Sequence, residues 1–348
     1  MIIINPDVGV MLFQFSPEII SSRIKETLAS DNDEVNQIIN YIVENSGKMI
    51  RPRLVMLSSA FYSSDSIIVR DVAVAIELIH MASLVHDDII DRSLLRRGKQ
   101  SVNGMWGNQV SVLTGDYLFA AAFQLINGYG LQDIMATVTE TIRIMCTGEI
   151  KQMSMAHNLD ITEEEYLDKT FGKTACLFAA SCRAGALASS MPVQEVGHIE
   201  DFGLYLGYAY QIMDDVLDFV SDSLRLGKPV GNDLVQGNIT LPVIYALRKP
   251  GVGPWLHKTI EKRSFDEANL QKINKILIDC GAIKYAVNRS HQFLLQGLDN
   301  LHILPPGSAR NQLEELARFL MDDYFNKLKL GVPRIHPETI LPKLMPIN

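Results

Sequence analysis

Between about residue 16 and residue 328 the apolar positions return every three or four residues, and the strict alternation of half-buried strands is scarce. This pattern predicts an all-α protein. Helices are expected over 17–29, 33–45, 51–62, 69–93, 105–127, 131–157, 163–190, 194–222, 239–247, 255–263, 266–279, 282–299 and 308–328. The breaks fall on turn-forming residues: Asp31-Asn32-Asp33, Gly98 to Gly104, Asn127-Gly128, Met191-Pro192, Gly227 to Gly237, Pro250 to Pro254 and Pro305-Pro306-Gly307. No low-complexity linker interrupts the series, so residues 1–330 read as one domain, a single large helical bundle. Pro333, Pro337, Pro342 and Pro346 mark residues 331–348 as an extended C-terminal tail.

Composition adds little to this picture, and charge narrows it. The chain has 348 residues, 47% of them hydrophobic and 21% charged, the balance of an ordinary soluble globular protein. A net charge of −8 argues against nucleic-acid binding, so any anion site must come from local basic clusters. Cys146, Cys176, Cys182 and Cys280 form no CxxC pair and sit in helical apolar patterns, which favours a reducing, cytoplasmic compartment. The first residues, MIIINPDVGVMLFQF, are apolar but carry Pro6 and Asp7 and no basic leader, unlike a signal peptide. No run of 18 uninterrupted apolar residues occurs, so a spanning helix is not expected; peripheral membrane contact stays open.

Candidate chemistry concentrates in MASLVHDDIIDRSLLRRG, residues 81–98. On a helix, Asp87 and Asp91 share a face and Asp88 lies beside them. Crowded carboxylates need a cation, and hard oxygen donors of this kind suit Mg²⁺ bridging to substrate phosphates. One acidic cluster is weak, because most are solvated helix faces. Here the pattern recurs as DDVLD, with Asp214, Asp215 and Asp218, and each copy follows an apolar stretch, ELIHMASLV or YLGYAYQIM. Carboxylates at the mouth of an apolar cavity fit that setting better than a solvated face does.

Basic residues supply the complementary half. Lys48 and Arg51 sit at a loop-to-helix transition in SGKMIRPRL, and Arg96 and Arg97 follow the first triad. His80 lies seven residues before Asp87 on a similar face. FGKTA places Lys173 and Thr174 inside an apolar helix, where a lysine requires an anionic partner. Gln211 shares the face of the second triad. The glycine-spaced stretch LGKPVGNDLVQGNITLP, 226–242, is a surface loop with no P-loop or dinucleotide fingerprint. Each of these residues alone reads as a surface cation or a satisfied core group; together with two triads they read as a diphosphate site.

In order along the chain, GKMIRPRL, LIHMASLVHDDIIDRSLLRRGKQSVNG, GDYLF, GEIKQ, GKTA, YQIMDDVLDFVSD and GKPVGNDLVQGNITLP resemble the motifs of the trans-polyprenyl diphosphate synthase family. The resemblance spans nearly the whole chain. It implies an all-α bundle around a central active-site cavity and a prenyltransferase that condenses isopentenyl diphosphate onto an allylic diphosphate. Asp87, Asp88, Asp91, Asp214, Asp215 and Asp218 would hold as many as three Mg²⁺ ions. Arg96, Lys173 and Lys228 would contact the allylic diphosphate, with Thr174 and Gln211 lining its pocket. Lys48, Arg51, His80 and Arg97 would bind isopentenyl diphosphate.

Two departures from the family pattern carry information. Ser46 replaces the first glycine of a common GGK loop, a tolerable change unless that position needs φ > 0. Asn238 stands where short-chain relatives carry lysine, which resembles the long-chain branch that includes heptaprenyl and solanesyl enzymes and their catalytic subunits. Ala82 and Ser83, small residues just before Asp87, are expected to let the product pass down a tunnel. The branch implies a product of about C30 to C40, heptaprenyl diphosphate for a quinone side chain being the leading candidate. A short-chain synthase, a terpene cyclase and a non-catalytic subunit are the rivals. Partners implied are a second copy of the chain or a small regulatory subunit.

Overall fold

A computed structural model describes the chain over residues 16–220 and 231–328, with side chains as far as Met321. The expected helices are present: α1 (Pro17–Leu28), α2 (Asp33–Glu44), α3 (Ile50–Ser59), α4 (Ser66–Ile90), α5 (Val102–Gly128), α6 (Gln132–Ser154), α7 (Glu163–Thr170), α8 (Cys176–Ala188) and α9 (Val193–Val220). After the second aspartate motif come α10 (Asn232–Val235), α11 (Leu241–Leu247), α12 (Gly253–Glu261), α13 (Glu267–Asp279), α14 (Ala282–Ile303) and α15 (Ser308–Leu328). Local chemistry marks several starts. Asn32, Asp65, Ser101 and Asp266 cap α2, α4, α5 and α13 through their side chains, and Thr162 with Glu165 forms a capping box on α7.

The core has two parts. One surrounds α9 and takes residues from α8, α11, α14 and α15; the other surrounds α4 and takes residues from α1, α2, α5 and α6. Helices α3 and α8 serve both, with Leu54 and Phe178 in the first part and Val55 and Leu177 in the second. The two long helices that end in the aspartate motifs are therefore the axes of the two parts, braced by a shared pair. Buried Asp71 pins the α4 side: its carboxylate accepts from Arg23 at 2.8 and 2.9 Å, from Arg70 at 3.0 Å and from Tyr129 at 2.8 Å. Burial works against its charge, but those donors outweigh it and hold the carboxyl below its ordinary range.

The structure departs from expectation in four places. Helix α4 stops at Ile90, and the expected break between Gly98 and Gly104 contains a hairpin, β1 (Leu95–Arg96) against β2 (Lys99–Gln100). Arg97 and Gly98 form its two-residue loop, both with positive φ (53° and 77°), the geometry that matches strand twist. The helix expected over 163–190 is interrupted by a π-helical turn, Phe171–Ala175. Residues 226–242 are expected to be loop, and within the described part of that stretch Asn232–Val235 form the short α10. Finally, α5 is long and apolar enough to cross a membrane by length and composition, although it holds no uninterrupted run of 18 apolar residues, and 33% of its most apolar window is buried. It lies along α4 as a bundle helix and leaves Val112, Leu113 and Tyr117 exposed. Lys228 and the tail 331–348 lie outside the described residues.

Candidate active site

Because α4 and α9 converge at their C-terminal ends, Asp87, Asp88, Asp91, Asp214 and Asp215 line one cavity of about 410 Å³. Asp218 is turned toward the following loop, where one carboxylate oxygen accepts the Asp233 N–H at 3.1 Å. The second aspartate of each motif is the buried one, Asp88 at 4% exposure and Asp215 at 5%. Asp88 is gripped by Arg96, whose Nε lies 3.0 and 2.8 Å from the two carboxylate oxygens and whose guanidinium adds a 2.8 Å contact. Asp215 accepts from the Tyr166 hydroxyl and from Gln211 Nε2, both at 2.7 Å, and the Thr174 hydroxyl donates to Gln211 Oε1 at 2.6 Å. Burial pushes Asp87 up to about 7, with Lys173 opposing and Glu149 and Asp91 reinforcing the shift. Asp215 and Asp218 are raised for the same reason, with Asp233 adding to both.

Lys173 reaches this cavity from the π-helical turn. Such turns re-aim side chains and recur at functional sites. This one is seated where Gly172 meets Gly148 of α6 so closely that a Cβ on either would lie 2.9 Å from the other's Cα. Burial disfavours the Lys173 charge, but Glu149, Asp233, Asp87 and Asp91 outweigh that and raise its pKa. The lysine has the anionic surroundings its sequence context requires. Lys169, one turn earlier, lines the same wall.

A second cavity of about 500 Å³ shares with it the wall formed by Arg51, His80, Leu84, Asp88, Arg96, Arg97, Tyr210 and Asp214. Lys48, Arg51, His80 and Arg97 all line it, as the sequence grouping requires. Arg51 donates from Nη1 to His80 Nε2 at 3.0 Å and lies 4.9 Å from the Phe178 ring centre. Since arginine only donates, His80 accepts and is neutral; burial and then Arg51 hold its pKa well below the ordinary value. The hairpin turn carries Arg97 over Gly47, where a Cβ would strike its guanidinium, and Arg97 donates to the Asn45 carbonyl at 2.9 Å. Ser46 has no positive φ, so serine is tolerated there.

A third cavity, about 280 Å³ and lined mainly by apolar side chains, shares Ser83, Asp87, Met145 and Lys173 with the acidic one. Phe119, Ile142, Met145 and Ile150 form its walls. The two expected tunnel residues separate here. Ser83 lines both cavities, whereas Ala82 is fully buried in the core and lines none of the three.

Sequence reasoning missed several residues of the site: Glu77, Gln152, Tyr166, Lys169, Asp233 and Thr240. Gln152 and Thr240 line the acidic cavity, and Gln152 Oε1 and Thr240 Oγ1 have no hydrogen-bond partner among the described residues. Unpaired buried acceptors beside raised carboxylates fit a cavity built for a hydrated cation. No three His, Cys, Asp or Glu side chains among the described residues form a ready-made metal cage. Mg²⁺ tolerates that, because it keeps several waters and takes part of its coordination from substrate phosphate.

Fold and site together define an all-α enzyme with a carboxylate-lined cavity, a cation-lined cavity and an apolar one. Residues 32–277 match the polyprenyl synthetase family model. The chain is 37% identical over 303 residues to heptaprenyl diphosphate synthase component 2 of Bacillus subtilis, covering 87% of this chain and 86% of that one. Among solved structures it resembles the heptaprenyl diphosphate synthase of Staphylococcus aureus, at TM-score 0.82 and 33% identity, covering 88% and 96% of the two chains. It also resembles a polyprenyl synthase from Caulobacter crescentus complexed with calcium and isoprenyl diphosphate, at TM-score 0.81 and 30% identity, covering 88% and 97%. The chain belongs to the polyprenyl synthetase family and is a trans-prenyltransferase.

Proposed function

We propose that this enzyme condenses isopentenyl diphosphate with an allylic diphosphate, geranyl, farnesyl or geranylgeranyl, to make an all-trans polyprenyl diphosphate of about C30 to C40. Heptaprenyl diphosphate, for a quinone side chain, is the leading product. What supports this reading is that three neighbouring cavities share lining residues: the acidic one shares Arg51, His80, Asp88 and Arg96 with a cation-lined one, and Ser83, Asp87 and Lys173 with an apolar one.

The residues divide the work by charge. Asp87, Asp91 and Asp214, with Asp88, Asp215 and Asp218 behind them, would hold as many as three Mg²⁺ ions. Mg²⁺ bound there supplies the charge neutralisation that lets diphosphate leave. Lys173 and Arg96, with Lys228, Thr174 and Gln211, orient the allylic diphosphate. Its C–O bond breaks, the electron pair departs with diphosphate, and the allylic cation lies toward the apolar cavity. Lys48, Arg51 and Arg97 hold isopentenyl diphosphate, with His80 fixing Arg51, so that its double bond attacks that carbon; a proton is then lost to the released diphosphate. Electrostatic stabilisation and positioning do the catalysis.

We place the enzyme in the cytoplasm, as one catalytic domain acting as a homodimer or beside a small regulatory subunit. The exposed apolar face of α5 and the name of the Bacillus relative support association. Peripheral membrane contact would receive the product. The test is chromatography of products made from farnesyl diphosphate and labelled isopentenyl diphosphate with Mg²⁺. Label in a C30 to C40 chain is expected; ionisation of the allylic substrate without incorporation would sink the proposal.

A further inference from the structure

Tyr166 stands on α7, outside both aspartate motifs, and is fully buried. Its hydrocarbon would be replaced without loss of volume by phenylalanine, so the hydroxyl needs its own reason. A buried hydroxyl is costly unless paired, and this one donates to Asp215 Oδ2 at 2.7 Å. An ionised carboxylate only accepts, so the phenol hydroxyl is the donor of this pair. The other oxygen of Asp215 is held by Gln211, which Thr174 holds in turn. The carboxylate is thus fixed from two sides, by α7 through Tyr166 and by the π-helical turn through Thr174 and Gln211. Each oxygen retains lone-pair capacity toward the cavity that Asp215 lines.

We infer that Tyr166 is a positioning residue for the second aspartate motif, locking Asp215 in one orientation so that the α9 half of the site is set before any ligand enters. Groups that orient metal-binding carboxylates in this way matter nearly as much as the ligands. The inference rests on reading the acidic cavity as a metal–diphosphate site. A purely structural hydroxyl would affect stability and every substrate alike, whereas one acting through Asp215 affects only what Asp215 serves.

The experiment compares the full-length enzyme with Tyr166→Phe. Mn²⁺ uptake in the presence of inorganic diphosphate is followed by electron paramagnetic resonance, beside kcat and the KM for isopentenyl diphosphate. Expected are a rise of about tenfold in the Mn²⁺ dissociation constant and a fall of about tenfold in kcat, while the KM for isopentenyl diphosphate, seated in the other cavity, stays within about twofold. In the Asp215→Asn background, Tyr166→Phe is expected to add no further loss. Mn²⁺ affinity equal to wild type, or losses that simply multiply in the double variant, overturns the inference alone. Failure of the wild-type enzyme to take up Mn²⁺ with diphosphate overturns the metal–diphosphate reading and this inference with it.

Discussion

The two aspartate motifs share one pattern but are held by different chemistry. At the first, Asp88 is bound by a cation, the Arg96 guanidinium, on a hairpin outside the helix. At the second, Asp215 is bound by the neutral donors Tyr166 and Gln211 from within the core. A guanidinium is attracted equally to an incoming phosphate, so the first half can exchange partners when substrate arrives. A buried phenol has no competing ligand of that kind, so the second half is expected to keep its partners when substrate binds. One half of the site receives and the other holds still.

The largest effects test whether both halves matter at all. Asp87→Asn and Asp214→Asn, at the cavity-facing start of each motif, should each lower kcat by roughly 10²–10³-fold in steady-state assays. Unequal losses would mean that one half dominates. Next, Arg96→Gln should raise the KM for the allylic diphosphate by roughly 10–100-fold. Because the first half works through exchangeable charge, that penalty should shrink in 0.5 M salt to a fraction of its low-salt value, at roughly a 4 Å screening length. A salt-independent penalty would make Arg96 as fixed as Tyr166.

Smaller effects sharpen the boundary of the first half. Ser83→Phe should shorten the product, read by chromatography, because Ser83 lines both the acidic and the apolar cavity. Ala82→Phe should instead cost about 1–3 kcal/mol of stability through overpacking, read by thermal melting. Equal shortening by both would contradict the separation seen here. The smallest effect comes from Glu77, one turn before His80, which burial pushes up to about 7 while Arg51 opposes the shift. Its folded pKa exceeds the ordinary 4.5, so the cost of burying the carboxyl is absent below about pH 4.5 and complete above about pH 7. Glu77→Gln should therefore gain a few degrees in Tm over wild type as pH rises through that window; a constant difference would remove Glu77 from the balance.

Much of this architecture was readable in the chain, for physical reasons. The helices follow from long amphipathic periods, and the motifs stand out because charges rarely interrupt apolar runs. The hairpin escaped because its four strand residues are too few for alternation and its turn is Arg97-Gly98. The π-helical turn has no compositional signature, since its extra residue depends on how Gly172 meets Gly148. Tyr166 reads as an ordinary core aromatic until α9 folds against it. Ala82 and Ser83 differ by one helical step, and only tertiary packing decides which faces the cavity.

The central claim is that both motifs grip a single diphosphate. Isothermal titration of a non-reactive thio-analogue of farnesyl diphosphate, with Mg²⁺, tests it in wild type, Asp87→Asn, Asp214→Asn and the double variant. A shared ligand predicts that either single change removes most of the Mg²⁺-dependent affinity and that the double variant loses little more. Losses that add in full, or a surviving site of wild-type affinity in either single variant, would contradict it.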